Sequence, residues 1–141
     1  MNKEAPEMCL AHSLRKADRV ISQLYNEYLA PLDLRVTQFS VLRALNYMGS
    51  TTATQIQEVL VMEQATVSRA LKPLIRDGFI LVAEGSNKRE KLLSLSGSGQ
   101  ALYNSALKPW REAQAEVRSK LGPQIDDTLT ELSRQIVSIK R

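Results

Sequence analysis

From Leu10 onward, apolar residues return at Leu10, Leu14, Ala17, Ile21, Leu24 and Tyr28, the alternating four-and-three spacing of one amphipathic helix, which Pro31 stops. The next apolar series, Phe39, Leu42, Leu45 and Met48, predicts a shorter helix with Thr37 as its N-cap and Gly49 just past its end. In the stretch TTATQIQEVLVM, Thr52 and Gln55 have the capping-box spacing, and Ile56, Val59 and Leu60 are expected to face inward. The stretch TVSRALKPLIRDGF follows, with Val67, Ala70, Leu71, Leu74 and Ile75 as its apolar face, Pro73 within it and Gly78 closing it. Two short helices joined by a tight connection predict a helix-turn-helix over about residues 52–77.

The rhythm then changes. FILV and KLLSL are short β-compatible runs separated by AEGSNKRE, whose Gly85, Ser86 and Asn87 are turn formers, so a hairpin with a basic tip is expected over about 79–95. Ser96 is placed to cap a long helix through Ala101, Leu102, Ala106, Trp110, Ala113, Val117 and Leu121, with a kink expected at Pro109. Gly122 and Pro123 interrupt the chain. A last helix is expected to start at Pro123, with Asp126 and Asp127 in its first turn, Lys140 and Arg141 at its far end, and the stripe Ile125, Leu129, Leu132, Ile136 and Ile139. The predicted fold is mainly α with a small β-hairpin: a single domain over 1–141, in which a winged helix-turn-helix is flanked by terminal helices at about 9–30 and 97–140.

Composition narrows the function more by exclusion than by assertion. A length of 141 residues suits one domain, and 43% hydrophobic residues are enough for a packed core. A net charge of +4 is compatible with a polyanionic partner without demanding one. With one cysteine and one histidine, no intramolecular disulfide or Cys/His zinc cluster can form within the chain, and neither a metal nor another cofactor is expected. No apolar run approaches the roughly 20 residues of a membrane span or forms a signal peptide, so the cytoplasm is the expected compartment. The absence of a glycine-rich phosphate loop and of a nucleophile-base constellation argues against an enzyme.

A helix-turn-helix followed by a basic hairpin suits duplex DNA, because an α-helix fits the major groove while the hairpin reaches the neighbouring backbone or minor groove. Winding the fourth helix at 100° per residue with Val67 inward gathers Arg69, Lys72 and Arg76 on the opposite face, with Thr66 and Ser68 toward its edges. Gln64, Thr66, Ser68 and Arg69 are the candidates for base edges or nearby phosphates, and Lys72 for a phosphate. Lys88 and Arg89 supply the basic hairpin tip. Arg76, beside Asp77 near the helix end, is as well explained by the helix dipole and is left out of this set. The competing readings are a solvated basic face or a protein-interaction module built on the same helix. The apolar stripes of the terminal helices fit either association with a second copy or packing within the chain.

These residues resemble the MarR family, the multiple-antibiotic-resistance type of winged-helix regulator, over nearly the whole chain. ATVSRALKPLIRDGFI resembles that family's recognition helix and first wing strand, NKREKLLSLSGSGQALY its wing tip, second wing strand and the start of its fifth helix, and LAPLDLRVTQFSVLRAL the junction of its first two helices. The resemblance implies a homodimer held by the first, fifth and sixth helices, most often a repressor, with two recognition helices in successive major grooves of a pseudo-palindrome. It matches Arg89 to the wing arginine that enters the minor groove. Asn87, Glu63 and Ala65 depart from the family pattern: an acidic residue usually precedes the wing arginines, and a better cap and a hydroxyl residue often stand at the other two positions.

The resemblance also implies release of DNA by a small aromatic effector, for which His12, Tyr25, Tyr28, Phe39 and Trp110 are candidate pocket residues, with ordinary core packing as the alternative. Cys9 stands near the start of the first helix, as the reactive cysteine does in related peroxide sensors, so a redox-sensing regulator is a further alternative. Tyr25 lies about 24 Å along the same helix, at 1.5 Å per residue, and could meet that thiol only through a bent helix or a partner chain.

Overall fold

The computed structural model describes residues 5, 8–87 and 89–140. In chain order the elements are α1 (Leu10–Leu29), a 3-10 turn (Ala30–Leu32), α2 (Val36–Met48), α3 (Ala53–Leu60), α4 (Gln64–Arg76), β1 (Ile80–Glu84), β2 (Lys91–Leu95), α5 (Gly97–Leu121) and α6 (Ile125–Val137). The chain divides into two compact units, Leu29–Pro109 and the described residues of Met1–Tyr28 with Trp110–Arg141.

The Leu29–Pro109 unit holds the helix-turn-helix and the wing around its own core. Phe39, Val41, Leu42 and Leu45 of α2 are buried together with Ile56 of α3, Val67, Ala70, Leu71 and Leu74 of α4, Ile80 and Leu93 of the wing, and Tyr103 and Ala106 of α5. Phe39 stacks on Tyr103 with ring centroids 5.6 Å apart. Removing that ring leaves a large void among rigid neighbours, so Phe39→Ala is expected to destabilise the protein by about 3–5 kcal/mol, read as a lower urea midpoint at unchanged slope.

Several local predictions are met atom by atom. Thr52 Oγ1 accepts the Gln55 N–H at 3.2 Å while Gln55 Oε1 accepts the Thr52 N–H at 3.2 Å. Beyond Arg76 the chain closes α4 as a Schellman motif: Gly78 takes φ +80°, and the Phe79 and Gly78 N–H groups donate to the carbonyls of Leu74 and Ile75. Ser96 caps α5 by accepting the Gly99 N–H at 3.0 Å and donates its own hydroxyl to the Gly78 carbonyl at 2.6 Å. That docking brings the first turn of α5 so close to Phe79 that a Cβ at position 99 would lie 1.9 Å from its carbonyl oxygen, a gap that only glycine tolerates.

Other expectations are corrected. The N-cap of α2 is Arg35, with extended backbone, and Thr37 sits inside the helix; Gln38, three residues on, accepts the Arg35 N–H at 2.9 Å and supplies the local stabilisation. Val59 and Ile75 face solvent because α3 is short and α4 already fills its share of core with four residues. On α5 it is Tyr103 that is buried, and Ala101 is exposed. Helix α6 begins at Ile125, with Pro123 in the preceding turn, and ends at Val137, so Lys140 lies past its end; Arg141 and Lys88 fall outside the described residues.

The other unit has a thinner interior. Arg118 on α5 reaches across the Gly122 turn to Asp126 on α6 with two hydrogen bonds of 2.7 and 2.8 Å, which hold that carboxyl below the usual carboxylate range. Ile21 and Tyr25 of α1, Val117 of α5 and Ile125 and Leu129 of α6 surround a cavity of about 210 Å³. Beyond it the terminal stripes stay uncovered: Leu10, Leu14, Leu132, Ile136 and Ile139 are all exposed. No helix among the described residues is long and apolar enough to cross a membrane.

Candidate nucleic-acid interface

Helix α4 presents two opposed faces. Val67, Ala70, Leu71 and Leu74 are at most 6% exposed and lock its rotation against α2 and α3, which turns Gln64, Ser68, Arg69 and Lys72 outward. Thr66, at the edge between the faces, is half-buried. Among the described residues, neither the Arg69 guanidinium nor the Lys72 ammonium has an intramolecular hydrogen bond or ion pair, so both are available to an anion. Arg76 differs. It is bound to Asp77 through two hydrogen bonds of 3.0 and 3.3 Å, which raise the guanidinium's proton affinity and lower that of the carboxyl.

The turn between α3 and α4 is made by Val61, Met62 and Glu63. Val61 adopts left-handed backbone at φ 52°, from which its N–H returns to the carbonyls of Gln57 and Glu58 and ends α3. Glu63 is the N-cap of α4 but makes no side-chain capping bond, so the orphan N–H groups of the first turn remain open at the end of the helix that carries Gln64 and Thr66.

The wing pairs β1 and β2 antiparallel, in register from Ile80 opposite Leu95 to Glu84 opposite Lys91. At its tip the Asn87 side-chain oxygen accepts the N–H groups of Arg89 at 2.9 Å and Glu90 at 3.0 Å. The Gly85 N–H donates to the Glu90 carbonyl and Ser86 Oγ to the Glu90 carboxylate, closing the loop. Asn87 therefore fixes the backbone that carries Arg89, whose side chain is exposed and unpaired among the described residues. As a turn former Asn87 was visible in the sequence; its capture of two successive N–H groups was not.

The candidate effector residues do not converge within one unit. His12, Tyr25, Tyr28 and Trp110 belong to the unit built from α1, α6 and the end of α5, whereas Phe39 is 1% exposed in the core of the other. Tyr25 donates to Gln114 at 2.5 Å and Tyr28 to Glu116 at 2.8 Å. Burial raises the Tyr25 phenol, the hydrogen bond to Glu116 raises that of Tyr28, and the same bond with one from Lys120 lowers the Glu116 carboxyl. Cys9 is exposed just ahead of α1.

A helix-turn-helix whose second helix presents Arg69 and Lys72 exposed and unpaired among the described residues, followed by a β-hairpin, is the arrangement of a winged-helix transcriptional regulator. Residues 34–91 match the model of the MarR family. The chain is 35% identical over 94 residues to YwoH, an uncharacterised HTH-type transcriptional regulator of Bacillus subtilis, covering 67% of this chain and 69% of the relative. It is 29% identical over 125 residues to the multiple antibiotic resistance protein MarR of Salmonella typhimurium, covering 87% and 84%. Its fold superposes on the transcriptional regulator MosR of Mycobacterium tuberculosis in complex with DNA with a TM-score of 0.80 at 29% identity, over 94% of this chain and 99% of that one. The protein belongs to the MarR family of transcriptional regulators.

Proposed function

We propose that the protein is a homodimeric repressor that binds a pseudo-palindromic operator through α4 and the wing and is released by a small aromatic effector or another signal. The observation that carries this reading is the outer face of α4, where Arg69 and Lys72 stand exposed and unpaired on a helix whose opposite face is fixed in the core. Gln64, Thr66, Ser68 and Arg69 are assigned to base edges or adjacent phosphates, Lys72 to a phosphate, and Lys88 and Arg89 to the backbone or minor groove beside them. Supporting a dimer, the apolar stripes of α1 and α6 are left exposed by the single chain. The DNA complex of MosR, at 29% identity, supports duplex DNA as the partner. An effector acts by preferring a dimer whose recognition helices are misplaced, and it weakens DNA binding by no more than that preference.

Selecting bound fragments from genomic DNA with the purified protein, then titrating the selected duplex at several salt concentrations, tests this directly. Affinity is expected to fall steeply with salt; absence of binding to any duplex at low salt would overturn the reading and favour the protein-interaction module. In the same assay Arg89→Ala is expected to weaken binding about tenfold, largely independent of major-groove sequence, and to reduce the salt slope by about 1.

A further inference from the structure

Among the described residues the one buried polar side chain is Thr51, at 2% exposure, in the link between α2 and α3. Its backbone pairs with the second wing strand as a bridge: the Thr51 N–H donates to the Leu93 carbonyl at 3.0 Å and the Leu93 N–H to the Thr51 carbonyl at 2.7 Å. Its hydroxyl donates to Gln55 Oε1 at 2.5 Å, the same oxygen that accepts the Thr52 N–H at the start of α3. One side-chain oxygen thus ties the cap of α3 to the residue on which the wing is hung. Farther out, a cleft of about 470 Å³ opens between the start of α3, α4 and the wing, with Ile75, Val82 and Arg89 on its walls. Packing does not fill that space, so the stance of the wing depends on its root.

We propose that Thr51 and Gln55 form a latch that sets the wing against the helix-turn-helix, which makes Gln55 a positioning residue for the contact of Arg89 with DNA. The DNA half of this proposal rests on the function proposed above. Two measurements separate the parts. In the free protein, Gln55→Ala is expected to speed amide hydrogen exchange at Leu93 by about tenfold or more, because it removes the side-chain tie that holds Thr51, and with it the bridge, against the start of α3. Gln55→Glu, which keeps the acceptor oxygen, is expected to exchange as the wild type does.

With the selected duplex, Gln55→Ala is expected to cost about tenfold in affinity in the wild-type background and less than about twofold when Arg89 is already alanine, the non-additivity of residues that act through one contact. Thr51→Val, which deletes the hydroxyl at nearly constant volume, is expected to follow the same pattern and carries the test if Gln55→Ala does not fold. Unchanged exchange at Leu93 overturns the latch. Faster exchange with an equal affinity loss in both backgrounds overturns the positioning role. Faster exchange in a protein that binds no duplex leaves the latch standing and removes the proposed function instead.

Discussion

Replacing Arg69 by alanine is expected to lower affinity for the selected operator by about 1–3 kcal/mol and to relax the preference at one position of each half-site. The expectation follows from where the side chain stands. Arg69 lies one turn into α4 on the exposed face, while its neighbours in the same turn, Val67 and Ala70, are 1% and 4% exposed and hold the helix against rolling. Its guanidinium has no intramolecular partner among the described residues, so its removal breaks no network, and alanine is the best helix former. The loss therefore appears in DNA binding rather than in the melting temperature. Arg76 is the internal control: engaged with Asp77 at the helix end, it is expected to tolerate the same substitution with little effect on affinity. Affinities of both variants at matched salt, with a mutational scan of the half-site, decide the matter. Unchanged affinity and an unchanged base profile for Arg69→Ala would remove the residue from the reading surface.

Those features of the interface that obey local rules were legible in the sequence. The capping box of Thr52 and Gln55, the cap at Ser96, the closing Gly78 and, Ile75 aside, the buried face of α4 each depend on residues within one or two turns of one another, and all are present. Besides the cap of α2 and the start of α6, the misassigned positions were those where hydrophobicity alone had to decide burial. Val59 and Ile75 continue apolar rhythms on helices whose neighbours have run out, and they meet solvent. Tyr103 turns inward because Phe39, far away in sequence, presents a ring to stack on. The bridge from Thr51 to Leu93 has no sequence signature either, since a single pairing between a linker and a wing strand leaves no periodicity. Gln55 was visible as a cap but not as an acceptor for Thr51, because the capping-box spacing already gave its side chain a partner.

Placing charge on α6 through the double change Leu132→Glu and Ile136→Glu is expected to convert the protein to a monomer at micromolar concentration and to weaken operator binding by at least about a hundredfold. Leu132 and Ile136 are 46% and 38% exposed in the single chain, so each still carries apolar area that a second copy would remove from water, worth about 1 kcal/mol per side chain. In the proposed dimer a two-fold interface counts every contact twice, and a carboxylate in place of each apolar group adds a desolvation penalty. The Leu29–Pro109 unit keeps its own core, so the helix-turn-helix is expected to stay folded while the second half-site is lost. Losing that half-site removes the effective concentration by which one bound recognition helix delivers the other to the next major groove, and this loss, rather than any damaged base contact, accounts for the size of the expected effect. Sedimentation of the free variant and titration of full and half operators test both steps. A variant that sediments as the wild type and binds the full operator with wild-type affinity would show that the exposed stripe of α6 does not hold the dimer.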